Sequence, residues 1–252
     1  MPLSIIPISF PAKLWGDNMF PSGIITSIQP HPQSAFNDAD GVVAFALECS
    51  QHSVALRIEG RPNIKMVASV LVGYRKAPII GLIKTKQNAL NTIITSSHSE
   101  AIEILEFGAN YVAMECTGRC DLDRIQEAVE TGISVIADIA DLEHAKIAEE
   151  IGCTAITTAL SGYINETTHP FVEPDIALVE KCVKEVKMPV IAEGRYWTPR
   201  QIGEARDAGA YAVCVGNAIT NPKMITLHNK IVFDNTWQEL VKNDYRDLEY
   251  TR

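Results

Sequence analysis

The chain has 252 residues, close to the roughly 250 typical of a single eight-fold β/α barrel, and 46% of them are hydrophobic. Its formal net charge of −9 argues against nucleic acid or an anionic membrane as a partner, because both bind clustered cations. No apolar run approaches the roughly 18 residues of a membrane span, and the six cysteines form no C-x-x-C pair, so we expect free thiols in a cytoplasmic protein.

Short apolar runs alternate with amphipathic stretches in the first part of the chain. Residues 1–20 match no periodic pattern and are assigned to an N-terminal extension. The apolar runs predict strands at 24–29, 53–59 and 79–84, with helices at 38–50 and 63–74 between them. The third of these strands ends in Lys84.

Helix caps become regular in the second part. Ser97 and Glu100 form a capping-box pattern, and Thr198 with Pro199 and Gln201 forms another. Further helices are predicted to begin at Asp121, Asp141 and near Asp175, and helices are predicted to end at Gly108, Gly132, Gly152 and Gly209. Strands are predicted at 111–115, 133–138, 154–158, 189–193 and 211–215.

Eight mostly apolar strands that alternate with helices indicate a parallel sheet covered by helices, since strands buried on both faces lose the alternation of polar and apolar residues. Eight such units predict a closed (β/α)8 TIM barrel over residues 21–233, followed by a helix or tail at 234–252. An open doubly wound sheet is the competing topology, but no G-x-G-x-x-G follows the first strand.

A polar residue stands at or near the end of each predicted strand. The chemistry of TIM barrels lies at the C-terminal strand ends, so these residues predict a common site. Taken singly, each has an ordinary explanation: a buried lysine is usually half of an ion pair, and Asp138 could cap a loop. The residues are Gln29, Arg57 with Glu59, Lys84, Glu115, Asp138, Thr158, Glu193 and Gly216 with Asn217.

These residue types narrow the chemistry. No serine or cysteine stands in a nucleophile elbow, and the six histidines have no metal-ligand spacing, so we expect no catalytic metal. A lysine with carboxylates and an arginine suits proton transfer at a carbon next to a carbonyl. An ammonium desolvated at the barrel mouth loses its proton more easily, which would prepare Lys84 as a general base. Glu193 or Asp138 could hold substrate hydroxyls or exchange a second proton.

The segment VGNAIT at 215–220 indicates an anion site. Gly216 lets a ligand approach the backbone, and Asn217 lies at the start of a helix, where N–H groups are available. Loops after the last two strands of TIM barrels commonly bind phosphate, and Gly194 follows the seventh strand. We therefore predict phosphate binding at Gly194, Gly216 and Asn217.

Several sequence blocks resemble the N-acetylmannosamine-6-phosphate 2-epimerases of bacterial sialic acid catabolism. The blocks are LRIEG (56–60), PIIGLIK (78–84), ADI (137–139), ALSGY (159–163), EPDIALV (173–179), PVIAEGRY (189–196) and VGNAIT (215–220). The resemblance implies a TIM barrel without a cofactor that epimerises an amino-sugar phosphate by removing and returning the proton on C2. It implies Lys84 and Glu193 as catalytic residues and Gln29, Arg57 and Asp138 as sugar contacts, to which we add Glu115, Thr158 and Arg195.

Four residues depart from the family's pattern. Thr85 and Lys86 stand where the family has Arg-Asp, and Glu115 replaces an aspartate. Asn221 stands where the family commonly has an arginine that binds the phosphate. Without that arginine, about 2 kcal/mol of binding is lost unless Lys86 or Lys223 compensates. Whether the sugar is phosphorylated therefore stays open.

Two other functions also stay open at this point. Lys84 could be the Schiff-base nucleophile of a class I aldolase. The departures at Thr85, Glu115 and Asn221 also fit a sugar-phosphate-binding barrel that has lost catalysis. The sequence does not determine the oligomeric state, and a homodimer is one option.

Overall fold

The structure, a computed structural model, describes residues 19–29, 38–71, 77–86, 92–164 and 173–234. Nearly all of the predicted N-terminal extension and the predicted tail from residue 235 onward lie outside the described residues. Within the described residues, no helix has both the length and the apolar character needed to cross a membrane.

Eight parallel strands form a closed barrel in the order β1-β10-β9-β8-β7-β6-β3-β2. The barrel strands are β1 (Gly23–Ile28), β2 (Ala55–Glu59), β3 (Ile79–Leu82), β6 (Tyr111–Glu115), β7 (Val135–Asp138), β8 (Ala155–Thr157), β9 (Val190–Glu193) and β10 (Ala212–Val215). Helices follow these strands on the outside. The predicted TIM barrel is confirmed, and the open doubly wound sheet is wrong.

The helices of the described residues are α1 (Ala39–Ser50), α2 (Arg61–Leu71), α3 (His98–Glu106), α4 (Asp123–Glu130), α5 (Leu142–Ile151), α6 (Ile176–Glu185), α7 (Pro199–Asp207), α8 (Asn217–Thr220) and α9 (Pro222–Asp234). The side chains of Ser97, Asp141, Asp175 and Thr198 each accept an N–H bond from the first turn of their helix, as the cap patterns predict. The prediction for α4 is wrong by two residues, because Asp121 accepts from the N–H of Asp123 instead of capping the helix.

The predicted strand at 79–84 is in fact two strands. β3 ends at Leu82, and Lys84 begins β4 (Lys84–Lys86), which pairs antiparallel with β5 (Thr92–Ile94) in a separate ribbon. The change of partner occurs at Ile83, whose carbonyl accepts a bond of 2.7 Å from the N–H of Thr95. Lys84 therefore still follows the C-terminal end of a barrel strand, but on a ribbon at that end.

Alternation along the strands separates the core into two clusters. Outward residues pack against the helices, whereas the inward cluster fills the barrel, because successive strand side chains point to opposite faces. Phe20 closes the N-terminal end of the barrel, with its ring edge-on to Tyr111 at a centroid distance of 5.4 Å. Nearer the C-terminal strand ends, the inward positions change from apolar to polar. The candidate site therefore lies inside the barrel at the C-terminal ends of the strands.

Candidate active site

The amine of Lys84 lies at the mouth of the barrel, near the C-terminal ends of β1 and β2. Its Nζ donates to Gln29 Oε1 at 2.6 Å and lies 3.3 Å from Glu59 Oε2. The lysine and glutamate side chains are each 24% exposed. The expectation of a desolvated amine is therefore wrong in that form, because the nitrogen has a carboxylate partner and partial access to water. The structure brings Lys84 together with Gln29 and Glu59, both of which the sequence places at strand ends.

The orientation of Gln29 follows from a second bond. Its amide nitrogen donates to Ser27 Oγ at 2.9 Å, which leaves the amide oxygen for Lys84. Ser27 is buried on β1 two residues earlier, so both side chains lie on the inward face of the barrel. The bond between Gln29 and Ser27 and the bond between Lys84 and Gln29 together fix the position of the lysine nitrogen.

The ribbon that carries Lys84 is anchored from outside the barrel. Thr95, which follows β5, is fully buried and has a φ of 48°. Its carbonyl accepts from the Arg124 guanidinium, which also donates to the carbonyl of Glu115 at 2.6 Å. Arg124 therefore ties the end of the ribbon to the end of β6, and this fixes the backbone from which Lys84 extends.

Arg57 is the centre of a buried charge network below Lys84. Its guanidinium donates to both carboxylate oxygens of Asp138, at 3.0 and 2.6 Å, and its Nε lies 3.3 Å from Glu193 Oε1. Thr157 Oγ1 donates to the same Asp138 at 3.1 Å. Burial alone would lower the pKa of Arg57, but the two carboxylates raise it above its ordinary value. The guanidinium is therefore a permanent positive charge inside the barrel.

Glu193 is the less well paired of the two carboxyls. Burial raises its pKa above the ordinary value; Arg57 opposes this shift, and the charge of Asp138 adds to it. Its Oε2 is buried without a hydrogen-bond partner in the structure. One guanidinium faces two carboxyls and binds Asp138 in the bidentate geometry, so Glu193 is the group of this network that takes up a proton most readily.

Glu115 also has a carboxylate oxygen without a partner. Its Oε1 accepts from Thr117 Oγ1 at 2.6 Å and from Arg119 Nε at 2.9 Å, whereas the buried Oε2 has no bond in the structure. Glu115 pairs in register with Asp138 on β7, which places it on the inward face. A buried acceptor that the protein leaves unsatisfied is suited to a donor on a ligand, such as a sugar hydroxyl.

Thr158 bonds the backbone of the neighbouring strand in this structure, and its contact with the sugar stays a prediction. Its hydroxyl accepts from the N–H of Glu193 at 3.0 Å and donates to the carbonyl of the same residue at 2.9 Å, so it joins β8 to β9. The neighbouring Thr157 points inward to Asp138 instead. Consecutive residues of a strand face opposite sides, so Thr157 is the residue of the pair that faces the charge network.

Arg195 holds a loop in place. Its guanidinium donates to the carbonyls of Ser161, at 2.5 Å, and Glu173, at 2.9 Å, and lies 5.4 Å from the centroid of the Tyr163 ring. The backbone of Arg195 has a φ of 63°, which is uncommon for a residue with a Cβ. These contacts with backbone carbonyls assign Arg195 to the support of the loop after β8; direct contact with the sugar stays a prediction.

The predicted phosphate residues lie at the ends of two neighbouring strands. Gly194 follows β9 with a φ of 104°, and Gly216 follows β10 directly before the short helix α8, which begins at Asn217. The amide of Asn221 is already used, because its Oδ1 accepts from the N–H of Met224 at the start of α9 and its Nδ2 donates to Asn217 Oδ1. Asn221 therefore serves as a helix cap.

Two inward residues next to the network were missed by the sequence analysis. Cys214 pairs in register with Glu193, and its side chain is buried beside the network. Thr157 was missed in favour of its neighbour. Among the described residues, no group of three or more His, Cys, Asp or Glu side chains is arranged to hold a metal ion.

The sequence matches, over residues 42–233, the family described as "Putative N-acetylmannosamine-6-phosphate epimerase". A Caldanaerobacter subterraneus protein named as an N-acetylmannosamine-6-phosphate 2-epimerase is 37% identical over 183 residues, which cover 69% of this chain and 75% of that protein. An Oceanobacillus iheyensis protein of the same name is 35% identical over 215 residues, or 81% of this chain and 95% of that protein.

A solved structure agrees with these relatives. The N-acetylmannosamine-6-phosphate 2-epimerase from Clostridium perfringens superimposes with a TM-score of 0.76 and 30% identity, covering 86% of this chain and 95% of that one. The resemblance inferred from the sequence blocks is confirmed. The chain belongs to the N-acetylmannosamine-6-phosphate epimerase family.

Proposed function

We propose that this protein interconverts N-acetylmannosamine 6-phosphate and N-acetylglucosamine 6-phosphate by removing and returning the proton on C2, without a cofactor. The observation that carries the proposal is the position of Lys84, whose nitrogen is fixed at the barrel mouth by Gln29 and Glu59. The relatives named above carry the name of this reaction. Family membership and an amine fixed at the mouth support the same chemistry.

The reaction needs two kinds of proton transfer. Ring opening moves a proton between sugar oxygens and produces an aldehyde, which makes the hydrogen on C2 acidic. Glu193 is suited to the first step, because burial raises its pKa and its Oε2 has no hydrogen-bond partner in the structure. Lys84 in its amine form is suited to the second step, removal of the C2 proton. Arg57 supplies a positive charge toward the enolate that results.

The remaining inward groups would hold the sugar. Carboxylate oxygens of Glu115 and Asp138 can accept bonds from hydroxyls, and Gln29 can contact the sugar beside Lys84. We place the phosphate at the backbone of Gly194, Gly216 and Asn217, at the β9 and β10 ends. Asn221 carries no charge and its amide caps α9, so the experiment below also measures how much phosphorylation contributes.

Proton NMR in heavy water tests the proposal. We expect the C2 proton of N-acetylmannosamine 6-phosphate to be replaced by deuterium while the gluco epimer appears, and we expect Lys84→Met to abolish both. The unphosphorylated sugar, measured in parallel, reports how much the phosphate contributes. Absence of C2 exchange with every N-acyl hexosamine tested would contradict the proposal.

The Schiff-base aldolase is the less favoured function. Its nucleophile would be the same Lys84 amine, but the relatives named above are named as epimerases. Borohydride treatment in the presence of the sugar provides the control, since a covalent adduct on Lys84 would indicate the aldolase. The non-catalytic barrel is tested by the same exchange measurement.

We further propose that the protein works in the cytoplasm on a small amino-sugar phosphate. All six cysteines are free thiols, and burial raises the pKa of Cys116, Cys153 and Cys182, each to about 12. Such thiols are poorly reactive, which fits a reducing compartment where cysteines serve as small core residues. Fractionation with a cytoplasmic marker tests the location.

A further inference from the structure

We propose that Glu59 is a positioning residue for the epimerisation and acts through Lys84. The proposal rests on the proposed function. Glu59 is the last residue of β2, and its Oε2 lies 3.3 Å from Lys84 Nζ. Together with the 2.6 Å bond to Gln29, this contact holds the amine from two sides.

Strand register explains why Glu59 reaches the lysine. Glu59 pairs with Leu82 of the neighbouring strand β3, and Lys84 lies two residues beyond Leu82. Residues two apart in extended backbone point to the same side, so Glu59 and Lys84 both extend over the barrel mouth. Arg57 lies two residues before Glu59 on the same inward face and is already paired with Asp138 and Glu193. Glu59 is therefore left to pair with the lysine.

The proton balance shows what this carboxylate does. When the C2–H bond breaks, its electron pair stays on the sugar as an enolate, and the proton forms a new N–H bond on Lys84. The lysine changes from neutral to positive, and the Glu59 carboxylate stabilises that positive charge as it develops. When the proton returns to C2, the amine is neutral again. No oxidant, reductant or further reactant is needed.

Removal of the Glu59 charge should therefore have two effects. The amine form becomes easier to reach, so the acid limb of the kcat profile moves to lower pH. The amine also becomes a weaker base, so the plateau of kcat falls. The charged groups on the elements that meet at Lys84 include Glu59 and Arg57 on β2, and Glu100 on α3, which is reached through Thr85 and paired with Arg61 on α2. Only Glu59 among these has a described contact with the lysine nitrogen.

The test compares Glu59→Gln, which keeps the shape, with Glu59→Asp, which keeps the charge. For Glu59→Gln we expect kcat to fall by roughly 10- to 100-fold, with KM changed much less and the acid limb moved to lower pH. Glu59→Asp should recover part of the loss. The matched control is Glu103→Gln, which removes a carboxylate that pairs with Arg61 on the outer surface and should leave kcat and its pH profile unchanged.

The outcomes separate this inference from the proposed function. Wild-type C2 exchange is measured first, and its absence would remove the proposed function itself. If the wild type exchanges C2, an unchanged kcat profile in Glu59→Gln overturns the role of Glu59 alone. A rise in KM at constant kcat would also overturn it, because Glu59 would then bind the sugar directly. Thermal unfolding and Glu59→Asp distinguish a folding defect from loss of the charge.

Discussion

Asp138→Asn tests the charge network at the centre of the barrel. Asp138 is fully buried and receives two bonds from Arg57, so removing its charge leaves a buried guanidinium without its main partner. Breaking one side of a buried ion pair costs about 3–5 kcal/mol. Glu193 Oε1 at 3.3 Å from Arg57 Nε takes over part of the charge, which favours the lower end, about 3 kcal/mol. For a domain of this size that loss corresponds to a melting temperature lower by roughly 6–12 °C.

Urea unfolding of Asp138→Asn, Arg57→Met and the double variant measures the coupling. Each single variant leaves an uncompensated buried charge, whereas the double variant removes both charges. We therefore expect the double variant to cost less free energy of unfolding than the sum of the two singles. Strict additivity, or an unchanged melting temperature in Asp138→Asn, would refute the assignment of a buried ion pair at this position.

Three further predictions concern single side chains. Since burial raises the pKa of Glu193, its protonated form favours folding at low pH, and the wild type should lose stability relative to Glu193→Gln as pH rises from about 4.5 toward 7, by urea unfolding. Thr158→Val should lower the free energy of unfolding by about 1–3 kcal/mol without moving KM, because the hydroxyl bonds only the Glu193 backbone in the structure; a changed KM would contradict this. Gly81→Ala should cost roughly 1–3 kcal/mol, because the new Cβ would overlap Ile104 and lie 3.0 Å from Ala109 Cβ, whereas the control Gly203→Ala meets nothing within 4 Å and should not destabilise α7.

The parts of the fold that the sequence predicts correctly depend on local chemistry. Thr198 and Gln201 form the full capping box of α7, with the hydroxyl and the side-chain amide each accepting a backbone N–H. Asp141 and Gly152 begin and end α5 as predicted. These caps depend on residues within one turn of each other, so tertiary contacts do not change them. Eight apolar strands between such helices then close into the barrel.

The partners of the site residues were not predictable in the same way. The sequence does not indicate which carboxylate pairs with Arg57, whose strongest partner is Asp138, 81 positions away. The inward face of β8 was also ambiguous, because a strand buried on both sides carries no alternation that separates Thr157 from Thr158. Register with neighbouring strands decides both questions, and register is a property of the closed barrel.

The ribbon shows how a correct residue can be placed on the wrong element. The run IIGLIK has the composition of one buried strand, yet the chain changes partner after Leu82 and Lys84 pairs with Ile94. Nothing in the six residues indicates this change, because it depends on Thr95 and on Arg124 from α4. The sequence identifies Lys84 by its position after an apolar run, whereas its pairing with Glu59 follows from the register of the barrel strands.

Glu193 and Lys84, the two groups proposed to carry protons, have different charged partners. In the barrel interior, a single guanidinium faces Asp138 and Glu193 and binds Asp138 in the bidentate geometry, while burial raises the pKa of Glu193, so Glu193 is the carboxyl suited to exchange a proton. At the mouth, the amine of Lys84 lies 3.3 Å from the Glu59 carboxylate. The proposed reaction needs one proton transfer at oxygen and another at carbon. A buried carboxyl and an amine at the mouth, each in its own charged surroundings, can carry out one transfer each. Asp138→Asn changes the surroundings of Glu193 and should therefore affect ring opening. Glu59→Gln changes the surroundings of Lys84 and should affect C2 exchange.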